Sequence, residues 1–114
     1  MAAAAETFLG KIAVCVGATS GIGRGIAVRL AQDQVNVIVI GRNVAAGAEV
    51  VEECKAAFPT GNHSAISCDA SLLKNVATTC SDVKSRISRL DYLVLTQGIA
   101  SMSGRSETTE GIDV

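Results

Sequence analysis

The chain has 114 residues, 48% hydrophobic and only 3% aromatic, with ten basic and eleven acidic side chains giving a net charge of −1. That is one domain's length, with enough apolar content for a core but little to spare for a large sheet. The charges are balanced and well mixed, which argues against a nucleic-acid or membrane surface, and no apolar run reaches the length of a transmembrane helix.

Residues 1–9 read as a loose tail, with residues 10–114 as a single domain. The opening Met-Ala-Ala-Ala-Ala-Glu is apolar, too short for a signal sequence and without a basic flank. A first strand is predicted over 11–16, around Ile12-Ala13-Val14-Cys15-Val16. Gly17-Ala18-Thr19-Ser20-Gly21-Ile22-Gly23 follows, then a helix over 22–32 whose Ile22, Ile26 and Leu30, four apart, form an apolar stripe. A second strand over 35–40 ends at Gly41-Arg42-Asn43. The next helix carries Val44, Ala48, Val51, Cys54 and Phe58 on one face and stops at Pro59-Thr60-Gly61-Asn62. A short strand over 64–67 leads into Cys68-Asp69-Ala70-Ser71. Leu72, Val76, Cys80, Val83, Ile87 and Leu90 then mark a third helix, with Ser71 as its expected N-cap. A fourth strand over 92–96 ends at Gln97-Gly98, and residues 101–109 are polar and loop-like.

Strands alternating with helices, and apolar runs instead of apolar–polar alternation, predict a parallel α/β sheet covered on both faces. Right-handed crossovers allow the order 3-2-1-4, with the switch point between strands one and four. A ligand is expected there, beside the glycine turn. Three glycines at this spacing mean little alone; the strand before them and the helix after them supply the context. Gly17 lets the chain turn sharply. Gly21 and Gly23 remove side chains where a pyrophosphate would approach the backbone and where helix meets strand. The N–H groups of the helix's first turn would then face the anion.

Cys15, Cys54, Cys68 and Cys80 form no C-x-x-C pair, and with the single His63 they make no zinc pattern. Buried free thiols in a reducing, cytoplasmic compartment are the expectation. His63 reads as a loop residue without a plausible partner. No Gly-x-Ser-x-Gly elbow is present.

Gly17-x-x-x-Gly21-x-Gly23 after a first strand resembles the short-chain dehydrogenase/reductase family, and the likeness runs along nearly the whole chain. The resemblance implies a Rossmann fold, cut short after strand four, that binds NAD or NADP. It implies cofactor contacts at Gly17, Thr19, Ser20, Gly21, Ile22 and Gly23, and further on at Arg42, Asn43, Asp69, Ala70 and Gly98. An NAD site would place an acid at the end of strand two, where this chain has Arg42 and no acid before Glu49. A guanidinium there suits a 2′-phosphate, so NADP is favoured over NAD. Asp69 matches the family's adenine-binding acid, although from the residues alone it reads equally as a helix-terminal Asp. Leu95-Thr96-Gln97-Gly98 stands where the family has Asn-Asn-Ala-Gly, so only the glycine is kept and both asparagines whose side chains usually brace this strand end are replaced.

The family's catalytic Ser and Tyr-x-x-x-Lys have no match here. Tyr92 is followed four residues later by Thr96 and reads as core. No catalytic residue and no metal ligand is assigned. Thr108 to Asp113 resembles the start of the helix that carries the family's catalytic asparagine, and the chain reads as an amino-terminal half, a fragment or an isoform. The implied function is hydride transfer between NADP and a small carbonyl or alcohol. A non-catalytic module that binds a nucleotide or a protein partner is the alternative; a Tyr-x-x-x-Lys in a longer transcript would decide for the enzyme. A methyltransferase is disfavoured by Ala18-Thr19-Ser20 ahead of Gly21 and by Arg42. An exposed fourth strand would leave a homo-oligomer open.

Overall fold

The structure is a computed structural model and describes residues 8–98 and 110–111. Its elements are β1 (Ile12–Val16), α1 (Gly21–Gln32), β2 (Asn36–Gly41), α2 (Val44–Ala57), β3 (Ser64–Ser67), α3 (Leu73–Arg86) and β4 (Tyr92–Leu95). The four strands are parallel in the order β3-β2-β1-β4, as expected from the sequence. β1 and β2 sit in the middle, which is why their residues are apolar without a break.

Alternate side chains of each strand serve opposite layers. Ala13, Cys15, Val37 and Val39 pack with α1 and α2, while Val14, Ile38 and Ile40 pack with Cys68 and with Val83 and Ile87. Across β4 the register pairs Ala13 with Tyr92 and Val14 with Leu93. Tyr92 and Val94 therefore join the α1–α2 layer, and Tyr92 also meets Phe8, their ring centroids 6.0 Å apart. Phe8, inside the stretch expected to be tail, is thus packed; residues 1–7 lie outside the described residues. Leu93 and Leu95 point to the other layer and remain 57% and 60% exposed.

Several expected faces are corrected. α1 buries Gly23, Ala27 and Ala31, while Ile22 is 79% exposed. Small residues win that face because they let α1 lie close to the sheet and to α2, where the Cys54 thiol reaches the Ala27 carbonyl at 3.8 Å. On α2 the buried residues are Gly47, Val50, Val51 and Cys54, with Val44 and Ala48 exposed. α3 starts at Leu73 behind Leu72, not Ser71, and ends at Arg86, so Ile87 and Leu90 fall beyond it. It buries no residue completely, and Cys80 on it is exposed. All four cysteines are free; burial pushes the Cys15 and Cys54 thiols up to about 11, where neither is a thiolate at neutral pH.

His63 is buried in the α2–β3 connection and has two partners, contrary to the expectation of none. The Val37 N–H donates to its Nδ1 at 3.2 Å, and its Nε2 pairs with the Phe58 carbonyl at 3.1 Å. Only a neutral ring protonated at Nε2 satisfies both. Burial lowers its pKa from 6.5, aided by the Lys55 charge and opposed by the bond to Phe58. Because the folded pKa is depressed, His63 contributes stability above about pH 6.5 that is lost as pH falls toward the folded value. In urea unfolding between pH 7.5 and 5.0, the unaltered chain should lose more stability than His63→Gln, which can accept and donate without titrating. Equal losses would contradict this account of His63.

Candidate functional site

The site is built along the carboxyl ends of the strands, where the hydrogen-bond ladder runs one residue past each strand. The Gly17 N–H donates to the Ile40 carbonyl at 2.8 Å, Cys68 N–H to Gly41 at 2.9 Å and Thr96 N–H to Val16 at 3.0 Å. Gly17, Cys68 and Thr96 are thereby held in one row, which fixes the loops that follow them.

The three glycines have separate physical reasons. Gly17 has φ +80°, and a Cβ there would lie 2.7 Å from the Gln97 backbone nitrogen. At Gly23 a Cβ would collide with the Gly17 carbonyl and the Thr96 hydroxyl, so glycine is needed for α1 to pack at the strand ends. Gly21 has φ +57° and no atom within 4 Å of the Cβ direction. The space where its side chain would stand is open, so an anion can come close there. Ser20 occupies the N-cap position of α1 with no side-chain cap, and the first turn holds no acid. The α1 N-terminus therefore presents backbone N–H groups and a positive dipole end.

Thr96 braces the strand end with its own side chain. Its hydroxyl donates to the Val16 carbonyl at 3.0 Å, shared with the Gly17 carbonyl at 3.2 Å, tying the β4 end to the turn. Gly41 is a second residue the sequence reading passed over: a Cβ there would lie 2.5 Å from the Thr19 methyl. Thr19, Gly41, Asn43 and Gly47 line a cavity of about 50 Å3 between the glycine turn and α2. A Gly directly after an apolar strand and before Arg42 was the available signal.

Arg42 is exposed, and among the described residues it makes no ion pair. Its carbonyl accepts from the Ser67 hydroxyl at 3.4 Å. Glu49, the next acid in sequence, lies near Arg24 instead, at 3.7 Å. The Asn43 Oδ1 accepts the Ala46 N–H at 3.0 Å and caps α2, while its Nδ2 is left as a donor for a ligand. Asp69 accepts the Ser71 N–H at 3.1 Å and the Ser71 hydroxyl at 2.7 Å. These two bonds hold its carboxyl below the usual carboxylate range, and the Arg42 charge adds to the effect. Asp69, Ser67, Cys68, Asn75, Thr78 and Thr79 line a polar cavity of about 280 Å3. Thr19, Ser20, Ala70 and Gly98 lie in the loops around these groups, and Ile22 lies in the first turn of α1. Tyr92 packs against Phe8 in the core layer, away from this edge. Among the described residues no group of His, Cys, Asp and Glu could hold a metal ion, and no helix is long and apolar enough to cross a membrane.

Positive backbone ends, one guanidinium and one carboxylate along a single edge can hold an anionic nucleotide by its phosphates and its base. Residues 11–112 match the short chain dehydrogenase family. The chain is 38% identical over 103 residues to an oxidoreductase of Emericella nidulans, covering 89% of this chain and 31% of that protein. Among solved structures it resembles a metagenomic short-chain oxidoreductase in complex with NADP, at TM-score 0.77 and 30% identity, covering 86% of this chain and 44% of that one. An NAD+-bound xylitol dehydrogenase shares the fold, at TM-score 0.70 and 23% identity, with 75% and 32% covered. The chain belongs to the short chain dehydrogenase family and spans about a third of the length of the curated relatives it matches.

The glycines give a stability test. Gly17→Ala combines a left-handed backbone with collision against Gln97, a cost of about 2–4 kcal/mol. Gly21→Ala meets only the backbone cost, about 1–2 kcal/mol. Urea midpoints should therefore fall further for Gly17→Ala; equal shifts would contradict the close contact at Gly17.

Proposed function

We propose that this chain is the dinucleotide-holding part of an oxidoreductase that moves hydride between NADP and a small carbonyl or alcohol. The observation that carries the reading is the pairing of an open glycine turn with Arg42, exposed just after β2 and without an ion pair among the described residues. Gly21 and the α1 N-terminus would take the pyrophosphate, with Gly23 setting how closely α1 approaches the strand ends. Arg42 would take the 2′-phosphate through paired hydrogen bonds, and Asp69 the adenine amino group. Gly98 would let the second ribose lie against the backbone beyond β4. Thr19, Ser20, Ile22, Asn43 and Ala70 complete the walls.

The dinucleotide supplies the hydride; the residues of this chain bind and orient it. Proton transfer to or from substrate needs an acid–base pair. Tyr92, the chain's one tyrosine, is committed to the core, and the Cys15 and Cys54 thiols are too basic to serve. Turnover by these 114 residues alone is therefore not expected, and a non-catalytic binding module remains the second reading, favoured by that same placement of Tyr92. A cytoplasmic location belongs to the proposal, supported by three buried free thiols. Self-association through the β4 edge belongs to it as well, supported by the exposure of Leu93 and Leu95.

The test is cofactor discrimination. Arg42→Ala should weaken NADPH by about 1.5–3 kcal/mol, the worth of hydrogen bonds to a charged group, and leave NADH nearly unchanged in fluorescence titrations. Equal loss for both would overturn the 2′-phosphate reading. Sedimentation of the same samples should show species above monomer mass, and a strict monomer would remove the self-association.

A further inference from the structure

We propose that Glu110 is a positioning residue for the adenosine end of the site, acting through the first turn of α3 and Asn75 on Asp69. The inference rests on the dinucleotide reading above and adds a residue to it.

α3 begins without a cap of its own. Leu72 stands at the N-cap position in extended conformation, offers no side-chain acceptor, and no acid follows in the first turn. The free donors are met from far along the chain: the Leu73 N–H donates to Glu110 Oε1 at 2.5 Å and the Lys74 N–H to Glu110 Oε2 at 3.4 Å. Both carboxylate oxygens are thus engaged by the helix end, where the dipole favours a negative charge. A cap supplied by a residue 37 positions away fixes this turn relative to a distant part of the chain, which a local cap could not do.

The turn so held is the one that carries Asp69. The next residue, Asn75, donates its side-chain N–H to the Asp69 carbonyl at 3.3 Å, and the Leu72 N–H donates to the same oxygen at 3.3 Å. The Asp69 carboxylate itself is fixed by Ser71, within the same turn. Asp69 and Asn75 also share the wall of the 280 Å3 polar cavity. Loss of the Glu110 carboxylate leaves two exposed amides to water and lets the first turn fray. Asn75 then loosens its hold on Asp69, and the carboxylate assigned to the adenine no longer has one position.

The experiment uses the full 114-residue chain with NADPH and with adenosine 2′,5′-bisphosphate as probes. Glu110→Ala should weaken both by about fivefold, the size of effect expected for a residue acting through a neighbour. Glu110→Gln, which keeps a neutral acceptor, should recover part of the loss, and it carries the comparison if the alanine variant does not fold. In an Asp69→Ala background the Glu110 substitution should add nothing, since the two act in series. Amide hydrogen exchange at Leu73 and Lys74 should quicken in Glu110→Ala whether or not a probe is present. Quickened exchange with unchanged affinity, or a loss that persists after Asp69→Ala, would overturn the positioning role. Failure of the unaltered chain to bind either probe would overturn the dinucleotide reading itself, while the exchange data would still report on the cap.

Discussion

The contact on which the rest depends is the one between the β1–α1 turn and the end of β4. Gly17 approaches the Gln97 backbone so closely that a Cβ would lie 2.7 Å from its nitrogen, and Gly23 sits against the Gly17 carbonyl and the Thr96 hydroxyl. With no side chains in the way, α1 starts at the strand ends and its N-terminus opens over the switch point. The Thr96 hydroxyl, bonded to Val16 and Gly17, closes the junction. A larger residue at Gly17 or Gly23 would push α1 away from β4 and move the N–H groups that make the site.

Packing elsewhere follows from the same closeness. α1 meets the sheet through Gly23, Ala27 and Ala31, so the apolar layer beneath it can be built from small and β-branched residues such as Ala13, Cys15, Val37 and Val39. The carboxyl edge is then free for charge. The α1 dipole and Arg42 offer positive potential for phosphates, and Asp69, held ionised by Ser71, offers a single acceptor beyond them. This ordering of charge, and not the overall charge of −1, is what suits a dinucleotide. The opposite layer is thinner: α3 buries no residue completely, and Leu93 and Leu95 face outward beside it.

Much of this was legible in the chain. Apolar runs without alternation marked central parallel strands, and the glycines between the first strand and its helix marked a tight turn there, because both signals are local. The faces of the helices were read less well. Ile22 fits a stripe with Ile26 and Leu30, yet the stripe that packs is the one of smallest residues; periodicity alone gives an angle and not a distance. Ser71 looked like a cap, but its hydroxyl serves Asp69 and the helix starts two residues later. His63, Thr96 and Glu110 were missed for a shared reason: each acts on backbone groups 26 or more residues away, and nothing in the surrounding sequence announces the partner. At the end of β4 only Gly98 keeps the family's pattern, and the Thr96 hydroxyl braces the strand end by its own bonds.

In the proposed complex a nicotinamide dinucleotide lies over the carboxyl ends of β1, β2 and β4 with its pyrophosphate on the Gly17–Gly23 turn. The direct measurement is titration of NADPH into the isotopically labelled chain, following each backbone amide by NMR. The account predicts the largest shifts at residues 17–23, with further shifts at Arg42, Asp69 and Gly98. Shifts confined to other surfaces, with the amides of the glycine turn unmoved, would contradict it.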